Sequence, residues 1–208
     1  MIEVTYINHM GTDLSVVNAA RVSFGKQQKT FNVEKDTRLI RYLAKHKHTS
    51  PFGHAFASFH VKAPVFVARQ LVKHKFLRWN EISRRYVDDP PEFFKPNYWR
   101  GRAENVKQGS SGEVKSNANV AYQYHKIEGL YKQLLDEGVC PEQARMILPQ
   151  SMMTEWFWSG SLDAFADMCR LRNAPDTQAE SREVAALISD KMANLFPVSW
   201  AALRGYGE

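Results

Sequence analysis

Cysteine is nearly missing from this chain. Two residues, Cys140 and Cys169, occur among 208, too few for a disulfide framework. They form no CxxC pair, and no spacing suits a zinc site, so no metal is expected. Neither cysteine has a local histidine partner, and neither reads as a nucleophile. Long apolar runs are also lacking. No stretch approaches the ~18 residues of a membrane span, and residues 1–14 lack the basic and apolar regions of a secretory signal. The phosphate loops GxGxxG and GxxxxGK(S/T) are missing. These absences point to a cytoplasmic protein (host cytoplasm, if viral) without a membrane role. If it binds nucleotides, side chains must do the work of a glycine cradle.

What is present is positive charge. Lysine and arginine total 28 against 22 acids, a formal charge of +6 with a pI near 9.3. Such a surface favours anionic partners, whether nucleic acid, phosphorylated metabolites or acidic membranes. The charge is concentrated in residues 69–86, RQLVKHKFLRWNEISRRY. Arg69, Lys73, Lys75, Arg78, Arg84, Arg85 and His74 surround Gln70, Asn80, Glu81 and Ser83. Cations suit a phosphate, while amides and hydroxyls suit a polar ring.

The length fits one domain spanning residues 1–208. Alternation predicts strands over 2–7 and 55–62, and a helical face over 36–47. Pro64 opens a helix to about Phe76, on which Gln70, Lys73 and His74 share a face. Glu81, Ser83 and Arg85 are spaced by two and point one way if that segment is extended. Residues 88–118 read as a long loop, mobile near 108–116. Beyond it the chain reads as helical, with a helix around 120–134 and another opened by Pro141 and broken by Pro149. Ser161 caps a helix to Arg172, and Thr177 caps one to about Leu195.

Three further clusters carry chemistry or its plain alternative. HTSPFGH at 48–54 is a tight turn, or a pair of histidines for stacking and hydrogen bonding. In EQARMILP at 142–149, Glu142 and Arg145 form a surface ion pair, or Arg145 binds phosphate. Arg170 and Arg172 end a helix, where the macrodipole favours cations without any functional role.

Taken in order, these blocks resemble the flavin-dependent thymidylate synthases (ThyX). That family's signature is RHRxxSxNExSxRY, and the aligned run here is Lys73 to Tyr86, with its NExSxRY half intact. GTDLSVVNAARVSFGK at 11–26, HTSPFGH, EQARMILP, LRNAPDTQAESRE at 171–183 and FPVSW at 196–200 also resemble family blocks. The resemblance implies an α+β fold: a sheet flanked by helices with a largely helical C-terminal half. It implies a homotetramer with active sites shared between subunits. The implied reaction is reductive methylation of dUMP to dTMP, with FAD as cofactor and methylenetetrahydrofolate and NADPH as co-substrates.

By position, the resemblance places Gln70, Lys73, Glu81, Ile82, Ser83, Arg84, Arg85, Arg145 and Arg172 around dUMP. Arg85 and Arg145 suit its phosphate. Ser83 lies beside the uracil, and Arg172 stabilises negative charge on the ring, so these two are the catalytic pair. On the FAD and folate side stand His48, Ser50, Lys73, His74, Lys75 and Glu81, with Asp163 and Asp167 near the adenine end. Several positions depart from the family pattern. KHK replaces RHR, Arg78 replaces a serine, Gly53 stands where an acid is common, and Asp176 replaces Ala or His. Asp163 and Asp167 replace a basic residue and an Asn or His. Lysine lacks arginine's bidentate fork, and an acid does not pair with a pyrophosphate. A weakened flavin site or a divergent branch follows.

Three alternatives compete with this reading. One is a related C5-modifying enzyme acting on UMP or adding hydroxymethyl. Another is a family member that binds nucleotide without catalysis. The third, disfavoured by the ordered blocks, is a nucleic-acid-binding module supported by Trp79, Tyr86, Tyr98 and Trp99 among basic residues.

Overall fold

A computed structural model describes residues 1–104 and 109–205. Four strands form one antiparallel sheet: β1 (Glu3–Met10), β2 (Phe56–Pro64), β3 (Leu77–Glu81) and β6 (Met153–Ser161), in the order β1-β2-β6-β3. Strand β2 shows why this segment pairs as it does. Ala57, Phe59, Val61 and Ala63 are buried, while Ser58, His60 and Lys62 between them face outward. Trp156 and Trp158 of β6 alternate with Glu155, Phe157 and Ser159 in the same way.

Helices cover the apolar face of this sheet. They are α1 (Asp13–Arg21), α2 (Val33–Lys45), α3 (Val65–Leu71), α6 (Leu162–Arg172), α7 (Ala179–Leu195) and α8 (Pro197–Arg204). The core joins Phe59 of β2 and Trp158 of β6 to Phe165 of α6, with edge-to-face ring contacts at 5.3 and 5.6 Å. Asp13 is buried where it accepts the backbone N–H groups of Val198 and Ser199, tying α1 to the start of α8. The fold is α+β, a sheet flanked by helices, as the sequence suggests.

Several local expectations need correction. The second half is not uniformly helical: β6 lies inside the sheet and pairs with both β2 and β3. Its alternation of buried Thr154, Trp156 and Trp158 with the more exposed Glu155, Phe157 and Ser159 has the period of a strand. The helix after Pro64 ends at Leu71 instead of Phe76, and Phe76 takes a left-handed φ of 65° as the chain turns into β3. Lys73 and His74 therefore occupy a turn. The extended strip stops at Glu81, because Ser83–Tyr86 closes as a turn with Tyr86 N donating to Ser83 O at 3.0 Å. The stretch 88–118 is not wholly loop. It contains a two-stranded sheet of β4 (Trp99–Arg102) and β5 (Ser110–Val114), which includes part of the segment expected to be mobile; residue 108 lies outside the described residues.

The remaining α-helices among the described residues are α4 (Val120–Asp136) and the short α5 (Pro141–Ala144). Ser161 sits at the N-cap of α6 but makes no side-chain capping bond. The N-cap of α7 is Gln178, while Thr177 donates its hydroxyl to Leu171 O at 3.1 Å.

Candidate active site

The sequence-selected residues gather around three clefts. The first has a volume of about 810 Å³ and lies between the end of β3 and the α5 region. Glu81, Ile82, Arg84 and Arg145 line it, together with Arg69 and Thr154. Glu81 is fixed on both oxygens: Thr154 Oγ1 donates to Oε1 at 2.7 Å, and Trp79 Nε1 donates to Oε2 at 3.1 Å. Near this cleft Arg85 donates to the Glu142 carboxylate at 2.8 Å, a contact that raises the arginine pKa further. The expected Glu142–Arg145 ion pair is not made. Arg145 Nε instead reaches the Glu142 backbone carbonyl at 3.3 Å, leaving that carboxylate to Arg85. Arg84 donates to Asp89 O. Ser83 is half-buried in the adjoining turn, its Oγ accepting Arg85 N at 3.3 Å.

The second cleft, about 540 Å³, lies between α3 and the α6–α7 connection. Gln70, Arg172, Asp176, Gln178 and Arg100 line it. Arg172 Nε donates to His74 Nε2 at 2.9 Å, and Arg172 Nη2 donates to Gln70 O at 2.9 Å. Burial, then the neighbouring guanidinium, hold the His74 pKa down to about 4. Burial also lowers that of Arg172. The Gln70 side chain donates to Gln178 Oε1 and accepts the Ser181 hydroxyl at 3.1 Å. The β4–β5 hairpin supplies one wall. Arg100 is anchored there by Glu180 at 2.8 Å, and this guanidinium lowers the Glu180 pKa against the opposing effect of burial.

The third cleft, about 470 Å³, is lined by Lys47, Thr49, Phe52, Asp163, Asp167 and Arg170. His48 and Ser50 flank Thr49 and are exposed. Asp167 pairs with Arg170 at 2.6 Å. Asp163 Oδ1 is buried and has no hydrogen-bond partner among the described residues.

The nine residues selected for the nucleotide are thus divided within one chain. Glu81, Ile82, Arg84 and Arg145 face the first cleft, with Ser83 and Arg85 close by. Gln70 and Arg172 face the second. Lys73 and Lys75 are exposed on the turn after α3, and His74 is turned inward onto Arg172. Sequence reading gave no role to Thr154, Gln178 or Ser181, and considered Trp79 only for stacking on nucleic acid. Thr154 shares the period-two pattern of β6, which was the available signal. Gln178 and Ser181 lie in the LRNAPDTQAESRE block but meet Gln70 only through tertiary folding.

The clefts of this α+β protein combine guanidinium, amide, hydroxyl and carboxylate groups, a set of donors and acceptors suited to a hydrogen-bonding small molecule. The chain belongs to a family described as thymidylate synthase complementing protein, whose model matches residues 5–198. It is 41% identical over 203 residues to a flavin-dependent thymidylate synthase of Thermus thermophilus, covering 96% of this chain and 74% of that one. A flavin-dependent thymidylate synthase of Thermotoga neapolitana is 36% identical over 204 residues, covering 98% of this chain and 91% of its own length. Among solved structures, a UMP/dUMP methylase, PolB from Streptomyces cacaoi, bound with 5-Br dUMP, matches with a TM-score of 0.89 at 28% identity, covering 100% of this chain and 96% of that one. The family resemblance read from the ordered blocks holds.

Proposed function

We propose that this protein is a flavin-dependent thymidylate synthase, converting dUMP to dTMP with methylenetetrahydrofolate as carbon donor and NADPH as reductant. The observation that carries this reading is Arg172. In a chain of this family, it is fixed by His74 and Gln70 at a cleft that also presents the Gln178 side chain. A guanidinium placed against N3 and O4 of uracil stabilises negative charge on the ring and makes C5 more nucleophilic. Ser83 hydrogen-bonds the ring, and Arg85 and Arg145 take the phosphate. Glu81, Ile82, Arg84, Gln70 and Lys73 complete the nucleotide pocket.

The residues present fit a flavin dinucleotide in kind. Lys73 and Lys75 are exposed cations for its pyrophosphate. The orphaned Asp163 Oδ1 accepts an amino or hydroxyl donor at the adenosine end. Asp167, already held by Arg170, lines the same cleft. His48, Ser50 and Glu81 belong to the flavin and folate side, whereas His74, which the resemblance also puts there, is turned inward onto Arg172. When bound and reduced by NADPH, the flavin would supply the hydride that completes the methyl group.

The division of the nucleotide residues between two clefts is compatible with active sites completed by different copies, as in the homotetramer that the resemblance implies. No helix among the described residues is long and apolar enough to cross a membrane, and the proposed site of action is the cytoplasm. The protein named UMP/dUMP methylase, at 28% identity, favours a second reading in which UMP is also accepted.

Arg172→Ala tests the first reading. Turnover of dUMP is expected to fall at least ~100-fold while the circular dichroism spectrum is kept. Near-normal turnover removes Arg172 from the chemistry. Parallel assays with dUMP and UMP decide the second reading.

A further inference from the structure

His74 stands within the run that resembles a flavin-binding motif, yet it folds toward α6. Helix α3 ends at Leu71, and the left-handed Phe76 turns the chain into β3. The turn between them exposes Lys73 and Lys75 and half-buries His74 against Arg172. An arginine nitrogen can only donate, so His74 Nε2 accepts at 2.9 Å and the imidazole proton resides on Nδ1. The second acceptor, Gln70 O at 2.9 Å, is also neutral.

This differs from five arginines that each meet a carboxylate. Arg21 is held by Asp36, Arg38 by Glu34, Arg85 by Glu142, Arg100 by Glu180 and Arg170 by Asp167. A carboxylate orients a guanidinium but offsets its charge at the same time. A neutral acceptor orients it and leaves the charge for a ligand.

We propose that His74 is a positioning residue for Arg172, aiming the guanidinium at the second cleft as a neutral acceptor so that its whole positive charge meets the negative charge that develops on a bound ligand. The identity of that ligand, the uracil ring of a nucleotide, rests on the thymidylate synthase reading. Burial and the adjacent guanidinium keep the imidazole unprotonated down to about pH 4. A protonated ring would lose its acceptor and repel Arg172.

The test compares the full-length FAD-loaded protein with His74→Leu, His74→Gln and His74→Glu. Leucine removes the acceptor, glutamine restores a neutral one, and glutamate supplies a charged one. Three quantities are read: kcat and KM for dUMP, the Arg172 Nε–H NMR signal, and FAD affinity by fluorescence titration. His74→Leu and His74→Glu are each expected to lower kcat about tenfold or more, with a smaller change in KM. His74→Gln is expected to recover most of what leucine loses. The Arg172 signal should persist in the glutamine and glutamate variants and broaden or shift in the leucine variant.

A leucine variant with wild-type kcat overturns the proposal. So does a glutamine variant no better than leucine, or a glutamate variant equal to glutamine. Loss of FAD affinity in step with kcat, with the Arg172 signal unchanged, returns His74 to the flavin and also overturns it. If the wild-type protein forms no dTMP, the functional reading fails separately. The NMR comparison still stands, and an unchanged Arg172 signal in His74→Leu overturns the positioning role.

Discussion

Thr154 donates its hydroxyl to Glu81 at 2.7 Å across the β3–β6 pair. Thr154 is only 3% exposed, whereas Glu81 ends its strand at the wall of the 810 Å³ cleft. With Trp79 on the other oxygen, each carboxylate oxygen has its own donor, and the plane of the group is set before any ligand arrives.

Thr154→Val keeps the side-chain volume and removes that donor. Hydrogen bonds to charged groups contribute about 1.5–3 kcal/mol, and this one has an exposed end, so the stability loss is expected at or below the bottom of that range. Activity should suffer more. A drop of roughly tenfold in kcat/KM for dUMP is expected from misplacement of Glu81, measured beside a urea unfolding curve. Unchanged kcat/KM would show that Trp79 alone suffices.

The His74–Arg172 contact makes stability depend on pH in a defined window. The unfolded chain protonates His74 near its ordinary value of 6.5, whereas the folded chain does so only near 4. Between those values the unfolded state binds the extra proton. The contribution of this group is therefore fully present above 6.5 and declines as pH falls toward 4. A histidine-selective NMR titration should show His74 neutral at pH 5.5, with its proton on Nδ1. In His74→Gln the acid-side decline in stability should be shallower than in the wild type.

Much of this was legible in the sequence, and the unread part has a physical pattern. Ordered blocks located Glu81, Arg145 and Arg172, and alternation located β2. The strand β6 was hidden between two helical stretches, and Phe157 between Trp156 and Trp158 masks the period of two that their burial shows. The spacing of Glu81, Ser83 and Arg85 suggested an extended strip, but the hydrogen bond from Tyr86 N to Ser83 O turns the chain after β3. Most opaque was His74. Its acceptor role depends on a residue 98 positions away, and no local pattern reports such a contact.

Gly160 is required by close approach between strands. A Cβ there would lie 2.3 Å from Leu77 Cδ2 and 3.2 Å from Phe76 O. Gly160→Ala is expected to destabilise the protein by about 1–3 kcal/mol through overpacking, read as a lower urea midpoint. A midpoint equal to wild type would show that Leu77 repacks freely.

The thiols should behave in opposite ways. Cys169 is buried, with its pKa pushed up to about 12, while Cys140 is exposed. A thiol reagent is expected to modify one cysteine in the native protein and two after unfolding. Cys140→Ser should still form dTMP, because neither thiol takes part in the proposed chemistry.

The most direct measurement follows the flavin spectrum of the FAD-loaded protein without oxygen. NADPH should bleach it. Adding dUMP with methylenetetrahydrofolate should then restore the oxidised spectrum while one dTMP forms per flavin reoxidised. A protein that shows no flavin spectrum with added FAD, or whose reduced flavin survives both substrates without dTMP appearing, would contradict the assignment.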